Sequence, residues 1–360
     1  MAPFPDSFHL QWHVTERCNL RCLHCYMDEE LIRQELDLEA LRGILSQYFA
    51  LVRRWKLPRE RNRISFTGGE PFVRTEIFDI LEECFKNRGL SRYGVLTNGQ
   101  FATDEHVQRL RSLGVDYAQV SIEGLEKTND AIRGAGTFKK ACAAARAYAA
   151  AGIETSISMT VTKKNVKDVA ALIALARHLR AGGAGIRRLV PWGRGSALRK
   201  LMLSPQETKE LFEYVVDIRR KTKDLQVGLG CEDGIACLNM HYVPAGCTCG
   251  QSSVTVLPNG TVYPCRRLPI SAGDLRKQPL KDIFENSAAL ERLRSFGDIN
   301  ADCRACPFFH ECRAGAACIS YAYFGSPGAG DPQCWRRFER LSRPPAQRKA
   351  LHKETAVPRS

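Results

Sequence analysis

Cys18-Asn19-Leu20-Arg21-Cys22-Leu23-His24-Cys25 follows directly on a β-prone run at residues 9–14. Three thiolates in one loop at the carboxyl end of a strand are one ligand too few for a cubane. A [4Fe–4S] cluster bound here would therefore keep one iron open to a small chelating molecule. Two blander readings stand beside this one: a zinc site completed by His24 or Cys84, and thiols packed as small hydrophobes. Structural zinc normally shows two separated ligand pairs, and core packing gives no reason for three thiols at this spacing.

Outward from the loop, short apolar runs at residues 63–67, 93–97, 117–122, 154–161 and 185–189 alternate with segments of helical period at 37–56, 75–87, 104–113, 138–151 and 166–180. This is the pattern of βα units around a parallel sheet, an α/β fold whose ligands bind outside the carboxyl ends of the strands. A further helix is expected at 205–222. Beyond it the periodicity weakens while cysteine, glycine and proline accumulate. Pro258-Asn259-Gly260, between residues 254–257 and 261–263, is a hairpin signal, because Asn-Gly supplies the positive φ angles of a tight turn. The chain divides into a barrel region (1–200), a linker helix and bridging segment (201–246), a loop-rich domain with the hairpin (247–340) and a basic tail (341–360) read as disordered.

With 44% hydrophobic and 26% charged positions, the 360 residues can bury a sizeable core, which excludes general disorder. No signal peptide opens the chain and no apolar run is long enough to span a membrane, so a soluble, cytoplasmic protein is expected. In that reducing compartment fifteen cysteines point to metal rather than to disulfides. Lys and Arg outnumber Asp and Glu by 53 to 39, but the basic doublets are scattered, as on solvated faces, and no nucleic-acid-binding module accompanies them.

The Cys-x3-Cys-x2-Cys loop after the first strand, with Phe66-Thr67-Gly68-Gly69-Glu70-Pro71 after the second, resembles the radical S-adenosylmethionine (SAM) superfamily. The resemblance reaches to the sixth predicted strand. It implies a partial (β/α)6 barrel, a [4Fe–4S] cluster on Cys18, Cys22 and Cys25, and SAM chelated by the open iron. SAM would be cleaved by one electron to a 5′-deoxyadenosyl radical. Further implied SAM contacts are Gly68, Gly69, Glu70 and Pro71, with His24 in the cysteine loop. Others are Asn98 after the third strand, Ser121 and Glu123 after the fourth, Arg133 in Ile132-Arg133-Gly134, Ser158 and Arg194. Physically, the two glycines let backbone approach a ligand, a carboxylate or carbonyl there can receive an ammonium group, and Arg133 can pair with a carboxylate or make a plain surface ion pair.

Cys249, Gly260, Cys265, then Cys303-x2-Cys306-x5-Cys312-x5-Cys318 and Cys334 resemble the SPASM domain, although that family usually has three residues where 313–317 place five. The resemblance implies auxiliary [4Fe–4S] clusters. One would sit on Cys249, Cys265 and Cys318, with Cys247, Cys237 or Cys231 as fourth ligand. The other would sit on Cys303, Cys306, Cys312 and Cys334. A zinc ribbon could use the latter four, and the first cysteine loop argues against it. The combination implies an enzyme that modifies a ribosomally made precursor peptide or a protein side chain, fed by a flavodoxin- or ferredoxin-type reductant. Too few residues precede the first predicted strand for a fused leader-binding domain, so recognition is expected to use the barrel mouth, the SPASM region or a separate leader-recognition protein. Thioether, carbon–carbon, heterocycle or epimerisation chemistry all stay open. Sulfatase maturation ranks second, because Arg266-Arg267 stand after Cys265 where that type carries an acidic base. A non-catalytic electron carrier ranks third.

Overall fold

The computed structural model describes residues 5–27, 34–229 and 247–341. Strand β1 (Phe8–Thr15) shows how its sheet is built, since Phe8, Leu10, Trp12 and Val14 alternate with His9, Gln11, His13 and Thr15. Side chains alternate across a strand, so the two sets face opposite sides. The apolar set is completely buried. Its side is covered by α1 (Leu38–Trp55), whose Tyr48 and Trp55 rings pack on Phe8. Asp37 starts α1 by accepting from the Ala40 amide, and Lys56 ends it in the left-handed region.

The chain continues through β2 (Asn62–Gly68), α2 (Ile77–Lys86), β3 (Arg92–Thr97), α3 (Asp104–Ser112), β4 (Tyr117–Ser121), α4 (Glu126–Arg133) and α5 (Thr137–Ala150). Then come β5 (Glu154–Val161), α6 (Val169–His178), β6 (Gly183–Arg188), α7 (Pro205–Lys221) and β7 (Gln226–Gly228). Strands β1 to β7 lie in chain order and all pair in parallel. The six expected strands are present. Helix α4 and strand β7 were not anticipated. Asn129 is the one buried residue of α4, and β7 has three residues, so neither carries a readable apolar period.

Thr67, Gln119, Ser158 and Arg187, from four of the strands β2 to β6, line one cavity. Neighbouring strands sit about 4.8 Å apart, so a flat sheet would spread these strands over roughly 19 Å. The sheet therefore curls into a partial barrel with a polar lumen. Among the described residues no helix is long and apolar enough to cross a membrane.

The hairpin after residue 247 does not stand apart from this sheet. Strand β8 (Ser253–Val256) pairs in parallel with β1, from His9 opposite Ser253 to Trp12 opposite Val256. Strands β9 (Thr261–Tyr263) and β10 (Gly273–Asp274) follow antiparallel, so one ten-stranded sheet runs through both regions. A second seam is ionic. Arg188 at the end of β6 donates to both carboxylate oxygens of Asp331, at 3.0 and 2.8 Å, and to Oε1 of Gln333 at 3.0 Å. Asp331 also accepts the amides of Ala316 and Gln333. The pair is shut off from water, with side-chain exposures of 2% and 0%.

Breaking a buried pair from one side leaves an uncompensated charge, so Arg188→Ala should lose about 3–5 kcal/mol of stability. Arg188→Met combined with Asp331→Leu should recover most of that loss, as read by anaerobic chemical denaturation. A single variant as stable as the parent would contradict this account of the seam.

Candidate active site

The cysteine loop leaves β1 and is held from several sides. Gly69 and Glu70 donate their amides to the carbonyls of Thr15 and Arg17, both at 2.9 Å. Gly68 has φ +143, and a Cβ on it would stand 2.0 Å from the Thr15 carbonyl oxygen; one on Gly69 would stand 2.3 Å from that of Arg17. The glycine pair thus lets the β2 loop lie directly against the root of the cysteine loop. Farther along, the Leu23 amide donates to the Ile132 carbonyl at 3.0 Å and the Gly195 amide to the Cys25 carbonyl at 2.9 Å. Arg194 donates to the Cys22 carbonyl at 3.2 Å.

Cys18, Cys22 and Cys25 line a cavity of about 430 Å³, a volume suited to a small-molecule ligand. Of the other residues expected at the site, Gly68, Gly69, His24, Asn98, Ser121, Glu123, Arg133, Ser158 and Arg194 line it too. Glu70 and Pro71 do not. The Glu70 carboxylate accepts the Asn98 amide at 2.7 Å and the Thr97 hydroxyl at 2.8 Å, while Pro71 begins a buried helical turn. Burial pushes the Glu70 carboxyl up to about 7, against the pull of those donors. It ties the β2 and β3 loops together, and Asn98 in turn donates to Asn19 at 2.7 Å.

Glu123 is the best-held group in the cavity. One oxygen accepts Nε of Arg133 at 2.9 Å and faces Nε2 of His24 at 3.2 Å; the other accepts the Thr160 amide at 2.6 Å. Burial alone would raise its pKa, but His24 and Arg133 outweigh it and bring the carboxyl down to about 2. Nδ1 of His24 is buried without a partner among the described residues. Arg133 also reaches within 3.7 Å of the Cys22 sulfur.

Sequence reasoning did not assign Tyr26, Gln119, Thr160 and Arg187 to the site. The signal was present in the alternation of β4, β5 and β6, where Gln119 shares a face with Ser121 and Thr160 with Ser158. From the second domain come Arg266 and Arg267. The described lining holds eight arginines and three glutamates.

The later cysteines gather in two groups. Cys247, Cys249, Cys265 and Cys318 meet in one small apolar cluster. The Cys249 thiol, with Arg267 and Arg266 adding to it, holds Cys265 down to about 5. Cys312 and Cys303 lie close enough to Cys334 to act on its ionisation, and Cys306 to that of Cys303. Cys231 and Cys237 lie outside the described residues.

The chain matches the radical SAM superfamily over residues 12–176 and the SPASM iron-sulfur cluster-binding domain over residues 247–307. It is 28% identical over 346 residues to an AdoMet-dependent heme synthase of Methanosarcina barkeri, covering 90% of this chain and 95% of that one. It is also 28% identical over 348 residues to mycofactocin maturase MftC of Mycolicibacterium smegmatis, covering 90% and 82%. In fold it resembles Streptococcus suis SuiB bound to precursor peptide SuiA, with TM-score 0.73 and 18% identity over 91% of this chain and 76% of that one.

A carboxyl lowered from 4.5 to about 2 contributes stability that is present above pH 4.5 and is lost as the pH falls through 2. The stability difference between the parent protein and Glu123→Gln should therefore shrink across that window in acid titrations followed by circular dichroism. A gap independent of pH would refute the ionised, paired state of Glu123.

Proposed function

We propose that this chain, a radical SAM enzyme with an iron–sulfur-binding SPASM domain, modifies a side chain of a ribosomally synthesised peptide or of a protein. The observation that carries this reading is the double wall of the cavity. Its cysteine loop and strand ends come from the barrel, and Arg266 and Arg267 come from the SPASM region. A substrate seated over the three cysteines touches both. The similarity to a mycofactocin maturase supports a peptide substrate.

The enzyme uses a SAM-binding [4Fe–4S] cluster, SAM and auxiliary iron–sulfur clusters. Together these supply reductive cleavage of a sulfonium and hydrogen-atom abstraction from an unactivated C–H bond. The residues present fit the SAM-binding cluster, because among the described residues the cavity lining contains three cysteines and no fourth. Cys18, Cys22 and Cys25 would hold it. Cys247, Cys249, Cys265 and Cys318 would hold one auxiliary cluster, and Cys303, Cys306, Cys312 and Cys334 another. Around SAM, Asn98, Ser121 and Ser158 offer hydrogen bonds, and Glu123 offers a carboxylate kept ionised and oriented by His24 and Arg133. After Cys265 the cavity meets Arg266 rather than an acid, which supports ranking sulfatase maturation below leader-peptide modification.

A second reading rests on the same arginines. Heme synthases are among the relatives, and an arginine-rich cavity suits a porphyrin with acidic side chains.

Reconstituted without oxygen and reduced with dithionite, the protein should release 5′-deoxyadenosine from SAM. Cys22→Ala should abolish release, whereas Cys303→Ala should lose about four irons per chain and keep the SAM-binding cluster. Undiminished release from Cys22→Ala would remove the basis of the assignment. Incubation with a precursor peptide encoded beside the enzyme should change the peptide's mass; an unaltered mass under turnover would count against the peptide reading.

A further inference from the structure

Helix α4 is held beside the cavity without an apolar face, since Asn129 is its one buried residue. Polar links fix it instead. The Asn129 side chain accepts the Glu123 amide at 3.0 Å, which ties α4 to the end of β4. The Ile132 carbonyl accepts the Leu23 amide at 3.0 Å, which ties it to the cysteine loop. Arg133, the last residue of α4, stands where these two links meet.

The guanidinium of Arg133 divides its nitrogens between two partners. Nε, at 2.9 Å, and Nη2 both donate to one oxygen of Glu123. The remaining Nη1 is aimed at the Cys22 sulfur, 3.7 Å away, within the reach of an N–H···S hydrogen bond. A pair with Glu123 does not by itself require a third nitrogen at a sulfur, and that carboxylate also receives His24 and the Thr160 amide. Cys22 is the buried member of the trio, whereas Cys18 and Cys25 are half-buried. The Cys18 sulfur meets neutral donors, the Leu20 amide at 3.4 Å and Nδ2 of Asn98 at 3.9 Å. Cys22 meets a charged one. Arg194 donates to the Cys22 carbonyl and so holds the backbone of the same residue.

We propose that Arg133 sets the reduction potential of the SAM-binding cluster through the Cys22 sulfur, with Glu123 and α4 fixing its guanidinium in place. Hydrogen bonds to the ligand sulfurs and local charge are among the quantities that determine iron–sulfur potentials. The step concerned is the uptake of one electron by the cluster from an external reductant, and no covalent bond forms or breaks. The added electron raises the negative charge on the sulfurs, so a donor at Cys22 stabilises the reduced cluster more than the oxidised one and shifts the potential upward. Opposite charges in contact largely cancel at longer range, so the pair with Glu123 confines the effect to the sulfur that Arg133 touches. This role is separate from pairing with the SAM carboxylate, because it operates before SAM binds. The inference rests on the proposed assignment of Cys18, Cys22 and Cys25 to that cluster.

Redox titration of the reconstituted enzyme without SAM, followed by electron paramagnetic resonance, tests it. The SAM-binding cluster is recognised as the signal whose shape changes when SAM is added afterwards. Relative to the parent, Arg133→Gln should disfavour reduction of this cluster about tenfold, a fall of about 59 mV for one electron. Arg133→Lys should fall by less, because an ammonium keeps the charge but cannot serve carboxylate and sulfur together as a planar fork does. The auxiliary-cluster potentials and the iron content should stay at the parent values, which a general loosening of the fold would not leave in place. A second measurement needs no variant: parent enzyme made with arginine carrying heavy nitrogen in its guanidinium should show coupling of that nitrogen to the reduced SAM-binding cluster in pulsed resonance. Absence of the coupling would overturn the proposal even if the variants fail to fold. So would an unchanged potential in Arg133→Gln accompanied by weakened SAM binding, which would leave Arg133 as a SAM contact alone. A parent enzyme with iron but no SAM-sensitive signal would remove the cysteine assignment and this inference with it.

Discussion

Everything at the site depends on how closely two stretches of backbone meet. Any side chain at Gly68 or Gly69 would collide with the carbonyls of Thr15 and Arg17, so only glycine allows the β2 loop to rest against the start of the cysteine loop. That contact is made by hydrogen bonds to those same carbonyls. Glu70 then extends the support to the β3 loop through Thr97 and Asn98, and Asn98 returns it to Asn19. Three loops and a carboxylate thus fix where the sulfurs stand.

The lumen behind the loop is polar, and its groups are joined to one another. His9 meets the Ser65 hydroxyl at 2.8 Å, Ser65 meets the Tyr117 hydroxyl at 2.8 Å, and Tyr117 donates to the Ile64 carbonyl at 2.6 Å. Satisfied networks of this kind hold polar side chains in a dry interior without a large desolvation cost. His13, farther along β1, has no such partner among the described residues.

Two devices join the SPASM region to the barrel, and both carry chemistry toward the cavity. Pairing of β8 with β1 continues the sheet and places the hairpin, hence Cys265 and Arg266, beside the mouth. The Arg188–Asp331 pair links the end of β6 to the segment before Cys334. Such a pair, closed to water, is costly to break from one side, which favours one fixed docking over a family of loose ones.

The sequence alone determined the alternation of strands and helices, the three-thiol loop, the glycine pair and the later cysteine series. Those features follow from local period and spacing, which are properties of neighbouring residues. Helix α4 and strand β7 escaped because one buries a single asparagine and the other has three residues. The cavity itself was a product of tertiary structure. Gln119, Thr160, Arg187 and Arg266 come from separate strands and from the hairpin, and nothing local brings them together. Only the curl of the sheet and the pairing of β8 with β1 decided that these side chains share one space, that Glu70 is tied to the β3 loop, and that Glu123 is held ionised within it. Charge and burial are sums over distant neighbours, so they exist only once the chain has folded.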